Sequence, residues 1–348
     1  MKMLKRTALG SAAIAALLLG SGAALAEDDD WKNYTVDDGL PANEIQLVES
    51  ADGDIWIGTL KGLVKFNDGE FSAEPIVKHS VFDLLDAGDR GLLVGTNRGA
   101  VAIKDGKVGQ PMLRGNYVAP FLRVSDDRVW ALKRKGGQDA EINILIEWVD
   151  GEWREVEALA DRSVVNMYNT DDGRFWVTLD GDGIAEFNPD KGFEDFTHHL
   201  EGLSVTALFQ DSKKRVWAGM WGAGVAMLSE GRWKTYLEEG EPYVFDIVED
   251  NRGDVWISTN KEGLWQYTGD KWKHHLADQG AVNLLEVVRD GTVVISAARV
   301  GGLQYWSGEE WKTSLPGPLP IRCLYEASDG TLFAGGILDG LHVLPPGK

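Results

Sequence analysis

Few residues of this 348-residue sequence combine the type and the setting that chemistry needs. Trp221 lies in Met220-Trp221-Gly222-Ala223-Gly224, a large aromatic among mostly small residues, suited to stacking on a sugar, a peptide or a partner side chain. Lys133-Arg134-Lys135, running into Gly136-Gly137, sets three cations in a chain of net charge −20 and could receive an anionic group or an acidic partner. Tyr117, Tyr243 and His79, the last beside Lys78, complete the set of candidates. Catalytic signatures are missing. No G-x-S-x-G, P-loop or dinucleotide fingerprint is present, so no cofactor is implied. His198-His199 and His274-His275 have no carboxylate at a zinc-site spacing, and Asp180-Gly181-Asp182-Gly183 holds too few ligands for a calcium loop.

The elements that must position these residues follow from a repeat. Asp52-Gly53-Asp54-Ile55-Trp56-Ile57-Gly58-Thr59 places a polar turn ahead of a short strand carrying a large aromatic. Aligning on that aromatic gives Trp56, Leu93, Trp130, Trp176, Trp217, Trp256, Val294 and Phe333, spaced 37 to 46 residues apart. A period of about 40 points to a solenoid, a propeller or an array.

Each unit reads as four short strands, a to d. In the first, Ile45 to Val48, Ile55 to Gly58, Leu63 to Phe66 and a segment around Phe71 alternate with turns. The c–d turn recurs as Asp68-Gly69, Asp105-Gly106, Asp150-Gly151, Glu230-Gly231, Gly269-Asp270 and Ser307-Gly308, a hairpin signal because glycine supplies positive φ. Of the 14 tryptophans, five fall in the b column, five in a d column (31, 153, 233, 272, 311) and three on strand c (148, 265, 306). Aromatics at fixed places are what adjacent blades bury between them, which leaves Trp221 as the exception.

The last unit ends at Lys348 without a strand d, whereas Trp31-Lys32-Asn33-Tyr34 matches the strand d of Trp233-Lys234-Thr235-Tyr236 and has no a, b or c before it. The sequence therefore predicts an all-β fold, a β-propeller of four-stranded antiparallel blades whose ring is closed by the N-terminal strand. Eight copies predict eight blades; seven, with one degenerate unit placed elsewhere, is the alternative.

Residues 1–26 read as a signal peptide and 27–348 as a single propeller domain. Lys2, Lys5 and Arg6 precede an apolar run that ends at Ala24-Leu25-Ala26, a small-x-small site predicting cleavage after Ala26. The expectation is a periplasmic or secreted protein. Its single cysteine, Cys323, precludes an intrachain disulfide. The acidic balance of 55 Asp and Glu against 35 Lys and Arg argues against nucleic acid as a partner. No other apolar run is long enough to span a bilayer.

Gly39-Leu40-Pro41-Ala42-Asn43-Glu44-Ile45, the Asp52–Thr59 stretch and Gly62-Leu63 together resemble the two-component regulator propeller repeat; Asp254-Val255-Trp256-Ile257-Ser258-Thr259 with Gly263-Leu264 is a second clear copy. The resemblance implies a β-propeller of the kind found outside the membrane in bacterial sensors, where blades precede a transmembrane segment and a histidine kinase. The sequence contains neither, so the resemblance implies a membrane sensor kinase only as a separate partner.

In a propeller the b–c loops and d–a connections share one face, and ligands meet that face or the channel mouth. Trp221, Tyr117, Tyr243, Lys133, Arg134, Lys135 and His79 all fall there by this count. The residues ten before the b column, Gln46, Asp83, Pro120, Asn166, Ala207, Asp246, Leu284 and Cys323, are expected to border the channel. Asp83, Asn166 and Asp246 belong to blades 2, 4 and 6 and are too widely spread to be assigned as a metal site. The function expected is a binding or scaffold module recognising a protein, peptide or glycan through that face. The alternative is a periplasmic lyase or hydrolase, which requires His79 and carboxylates to converge at the channel mouth.

Overall fold

The computed structural model describes residues 30–346, except 52, 73–74, 136–141, 171–172, 189–191, 196–199, 201 and 241. The segment 1–26 and the His198-His199 pair lie outside the described residues. Eight four-stranded antiparallel sheets follow one another along the chain. Blade 1 consists of Ile45–Ala51, Asp54–Thr59, Gly62–Asn67 and Glu70–Phe71, paired in that order. Blade 8 takes its first three strands from Ile321–Glu326, Leu332–Gly336 and Leu341–Leu344 and its outer strand from Lys32–Tyr34. That N-terminal strand pairs Lys32 with Val343, Asn33 with His342 and Tyr34 with Leu341. The ring is closed: each strand a touches the strand a of both neighbouring blades, including blade 1 against blade 8.

The turns explain why these segments fold as hairpins. Asp68-Gly69, Asp105-Gly106, Asp150-Gly151, Glu230-Gly231 and Gly269-Asp270 each place two successive residues at positive φ, the geometry whose twist matches the flanking strands. Ser307-Gly308 departs from this pattern. Trp306 pairs with Trp311 across a four-residue loop closed by Ser307 N–H donating to Glu310 O.

The core is divided among the blade interfaces. Between blades 8 and 1, for example, Tyr34, Ile57, Phe66, Phe333 and Leu341 pack together. The five b-column tryptophans are all buried. The c and d tryptophans are half-buried at the outer ends of the same clusters.

Two of the buried tryptophans are held by an aspartate six residues upstream. Asp211, buried in the a–b turn of blade 5, accepts from Trp217 Nε1 at 2.8 Å, from Arg215 Nε at 2.6 Å and from the backbone N–H groups of Lys213 and Arg215. Asp250 does the same for Trp256 Nε1 at 2.9 Å and for the N–H groups of Arg252 and Asp254. A single carboxylate thus closes a turn and satisfies an indole that burial would otherwise leave without a partner.

Candidate recognition surface

The face shared by the b–c loops and d–a connections is built on one recurring bond. The first N–H of a b–c loop donates to the carbonyl just ahead of that blade's own strand a: Leu60 to Glu44, Asn97 to Ser80, Asp180 to Ser163, Trp221 to Ser204 and Asn260 to Tyr243. The same loop positions also meet the next blade. Ser80 Oγ donates to Leu60 O at 2.6 Å, and Ser204 Oγ donates to Asp180 Oδ1 at 2.7 Å. Between blades 5 and 6 this clasp is replaced by two aromatic rings. Trp221 stacks on Tyr243 with centroids 4.1 Å apart and planes at 24°.

Local backbone chemistry fixes that pair. Met220 N–H donates to Gly224 O at 2.9 Å, closing a tight loop beneath Trp221. Gly224 has φ +73, and a Cβ there would lie 2.3 Å from Tyr236 O, so only glycine permits the d–a connection to pass so close. Tyr243 N–H donates to Asn260 Oδ1 at 3.1 Å, and Lys261 Nζ sits 5.8 Å from the Tyr243 ring centroid. Trp221 nevertheless remains 41% exposed. The result is a stacked aromatic platform with a cation at its edge, able to pair with a flat apolar or π surface.

The remaining candidates sort differently. Lys133, Arg134 and Lys135 are not loop residues: they continue strand b of blade 3 (Val129–Lys135), paired with Ile142–Val149. The insertion lengthens a hairpin, and its tip at 136–141 lies outside the described residues. Lys133 Nζ is engaged by Glu155 Oε1 at 2.8 Å. The side chain of Lys135 also lies outside the description. Arg134 sits across from Tyr117 in the sheet register, its guanidinium 4.9 Å from the Tyr117 ring centroid. Phe82 packs on the same ring at 4.8 Å. Burial pushes the Tyr117 hydroxyl up to about 12, against the opposing effect of Arg134. Tyr117 and Arg134 therefore form part of the wall between blades 2 and 3, separate from the Trp221–Tyr243 platform. His79 is exposed in the connection to blade 2, and among the described residues no carboxylate pairs with it.

The channel column requires a correction. Every strand a carries a register irregularity just inside its start; in blade 1 it falls between Ile45 and Leu47, in blade 2 between Val81 and Asp83. Leu47 opposite Gly58 therefore corresponds to Asp83 opposite Gly95, and Gln46 corresponds to Phe82. Blade 1 has one residue fewer between that bulge and its tryptophan, so counting back from Trp56 slips by one. Asp83, Asn166 and Asp246 are buried, and each accepts a backbone N–H, from Phe121, Met167 and Ile247 respectively. No group of three or more His, Cys, Asp or Glu suited to a metal ion occurs among the described residues.

The fold and this surface define an eight-bladed β-propeller with an aromatic platform on its loop face. Residues 239–261, which run from the connection before Tyr243 through strand b of blade 6 to Lys261, match the two component regulator propeller family. The chain thus carries at least one repeat of that type. Solved structures resemble it in fold. The extracellular domain of the one component system BT4673 from B. thetaiotaomicron superposes with a TM-score of 0.55 at 16% identity, covering 88% of this chain and 51% of that one. The chain therefore spans about half the length of that domain. Virginiamycin B lyase from Staphylococcus aureus gives 0.56 at 12% identity, with 90% and 97% covered, and YCF48 bound to D1 peptide gives 0.52 at 13%, with 76% and 93% covered. No curated protein matches the sequence. Among the described residues no helix is long and apolar enough to cross a membrane.

Proposed function

We propose that the protein is an exported recognition module that binds a protein, peptide or glycan on its loop face, with Trp221 and Tyr243 as the contact centre. The observation that carries this reading is the exposed stacked pair. At two other junctions, between blades 1 and 2 and between blades 4 and 5, a serine hydroxyl makes the contact and presents little apolar area. Between blades 5 and 6 two rings are held in register by backbone bonds and one of them stays 41% exposed. Rigid aromatics of this kind supply contact area at low cost in side-chain entropy and dominate binding energy where they occur.

The apolar, small-residue N-terminus supports a periplasmic or secreted location, and the regulator-type repeat supports a role in signal sensing, with a membrane sensor kinase as the partner that would read the bound state. The test is a peptide-display and glycan-array screen with the mature chain, repeated with Trp221→Ala. Ligands recovered by the wild type and lost by the variant support the assignment. Identical binding profiles would overturn it.

A further inference from the structure

The loop that carries Trp221 is bracketed by carboxylates on both sides. Toward blade 4, Trp221 N–H donates to Ser204 O at 2.9 Å, and the hydroxyl of that same serine donates to Asp180 Oδ1 at 2.7 Å. Gly181 N–H donates to Ser204 Oγ at 3.0 Å, which holds the blade 4 loop and its exposed Asp180 against the base of the tryptophan loop. Toward blade 6, a Cβ on Gly224 would lie 2.4 Å from Leu237 O, so the d–a connection passes directly beside the loop. Its next two residues, Glu238 and Glu239, are exposed. Glu262 leans on the same connection, its Oε1 2.1 Å from where a Cβ on Gly240 would sit.

The aromatic stack between these carboxylates already holds one cation. Lys261 Nζ lies against the Tyr243 ring, at the blade 6 end of the pair. Trp221 is at the blade 5 end and 41% exposed, and an indole is the side chain that attracts a cation most strongly. Among the described residues no lysine or arginine forms an ion pair with Asp180, Glu238 or Glu239. With Glu262 they set four carboxylates against the ammonium of Lys261. An uncharged sugar ring would use the indole and leave that field idle. An anionic one would be repelled by it, whereas a planar cation gains from the indole and from the field together.

We propose that the partner on this face is a peptide or protein segment presenting an arginine, its guanidinium lying on Trp221 within the field of Asp180 and Glu238. The proposal rests on the reading of Trp221 and Tyr243 as a recognition surface and adds the chemistry of what that surface takes. Arginine suits the site better than lysine. Its flat, weakly hydrated fork stacks on an indole, whereas a compact ammonium keeps its water.

The probes are a capped peptide, acetyl-Gly-Gly-Arg-Gly-Gly-amide, and its counterpart with citrulline, which keeps the shape of arginine without the charge. Each is titrated at low ionic strength into the mature chain carrying nitrogen-15 tryptophan, and the Trp221 indole resonance, assigned by its loss in Trp221→Phe, is followed. The arginine peptide is expected to bind about three- to thirtyfold more tightly, the combined scale of an exposed cation–π contact and surface ion pairing. Raising the salt to about 0.5 M is expected to narrow that ratio. Asp180→Asn with Glu238→Gln, checked for an unchanged melting transition, is expected to lower it by about two- to fivefold, the asparagine still offering Ser204 an oxygen. No saturable movement of the resonance with the arginine peptide, equal affinity for both peptides, or a ratio indifferent to salt and to the double variant would overturn the arginine assignment. The recognition reading fails separately, when the display and array screens return the same ligands for the wild type and Trp221→Ala. Ligands lost in that variant, together with equal affinities for the two peptides, would leave a recognition surface and refute its arginine partner.

Discussion

Ring closure makes a quantitative prediction that an open array would not share. Tyr34 is 5% exposed on the N-terminal strand, edge-on to Phe66 at 5.2 Å and Phe71 at 5.7 Å. Truncating such a ring removes its transfer free energy and leaves a cavity, so Tyr34→Ala is expected to cost about 3–5 kcal/mol. At about 2–4 °C per kcal/mol for a domain approaching this size, the melting temperature should fall by roughly 6–20 °C. Lys107→Ala on the exposed outer strand of blade 2 is the control, expected to stay within about 0.5 kcal/mol. That comparison alone does not isolate closure, because Tyr34 also lies close in sequence to blade 1. Gly340 supplies the missing arm. It has φ +95, and a Cβ there would lie 2.1 Å from Tyr34 O. If residues 34 and 340 meet, Gly340→Ala presses on the Tyr34 backbone while Tyr34→Ala frees its side chain, so the two are coupled through one local shift of the strand and the double variant should deviate from additivity by about 0.5–3 kcal/mol. In an open ring the two sites would be distant and their effects would add to within about 0.5 kcal/mol. Urea unfolding of the four proteins, followed by tryptophan fluorescence, gives the cycle. Additive costs, or a Tyr34→Ala midpoint equal to that of the Lys107→Ala control, would refute closure by the N-terminal strand.

Three further outcomes follow from particular contacts. Asp211→Ala strands both the Trp217 indole and the Arg215 guanidinium and is expected to cost about 3–5 kcal/mol, more than Asp250→Ala, which leaves no buried cation behind; equal urea midpoints for the two would contradict this. His275 packs against Trp256 and Trp306, and burial first, then Lys273 and His274, holds its ring below the ordinary value of 6.5. The unfolded chain therefore takes up that proton first, so stability is unaffected well above pH 6.5 and declines as pH falls from there through the lowered folded value. His275→Gln should flatten that decline in urea midpoints measured across the range, and an unchanged acid slope would contradict it. The Cys323 thiol is pushed up to about 12 by burial, with its Sγ only 2.5 Å from where a Cβ on Gly335 would sit. It should resist iodoacetamide in the folded protein at mildly alkaline pH and react once the chain is unfolded in urea. Rapid labelling of the folded protein would show the sulfur to be accessible.

Much of the fold was legible because its signals are local and repeated. The Trp column, the Asp-Gly turns and the match of Trp31-Lys32-Asn33-Tyr34 to an outer strand all lie within one blade's length of sequence. What escaped was register. The bulge in each strand a is not marked by any residue type, so counting from Trp56 misplaced Gln46 by one position, and a hairpin extended by insertion made Lys133–Lys135 look like a loop. Trp221 stood out as a lone aromatic off the repeat, but its stack on Tyr243 joins two blades and depends on a glycine whose need is visible only in three dimensions. Arg322 and Gln46 are 276 positions apart and meet only because the ring closes. Nothing local in the sequence marks the aspartates six residues ahead of Trp217 and Trp256 as the partners of buried indoles.

The account's central claim is that the Trp221–Tyr243 platform is a recognition surface and not only a blade junction. The direct measurement is calorimetric titration of the tightest peptide or glycan from the screens into the wild type, Trp221→Ala and Tyr243→Ala, each with its melting temperature recorded. A recognition platform predicts a loss of about 2 kcal/mol or more for Trp221→Ala, roughly thirtyfold in affinity, with little change in melting temperature because the side chain is 41% exposed. Unchanged affinity together with a marked drop in melting temperature would show that the ring serves the fold alone.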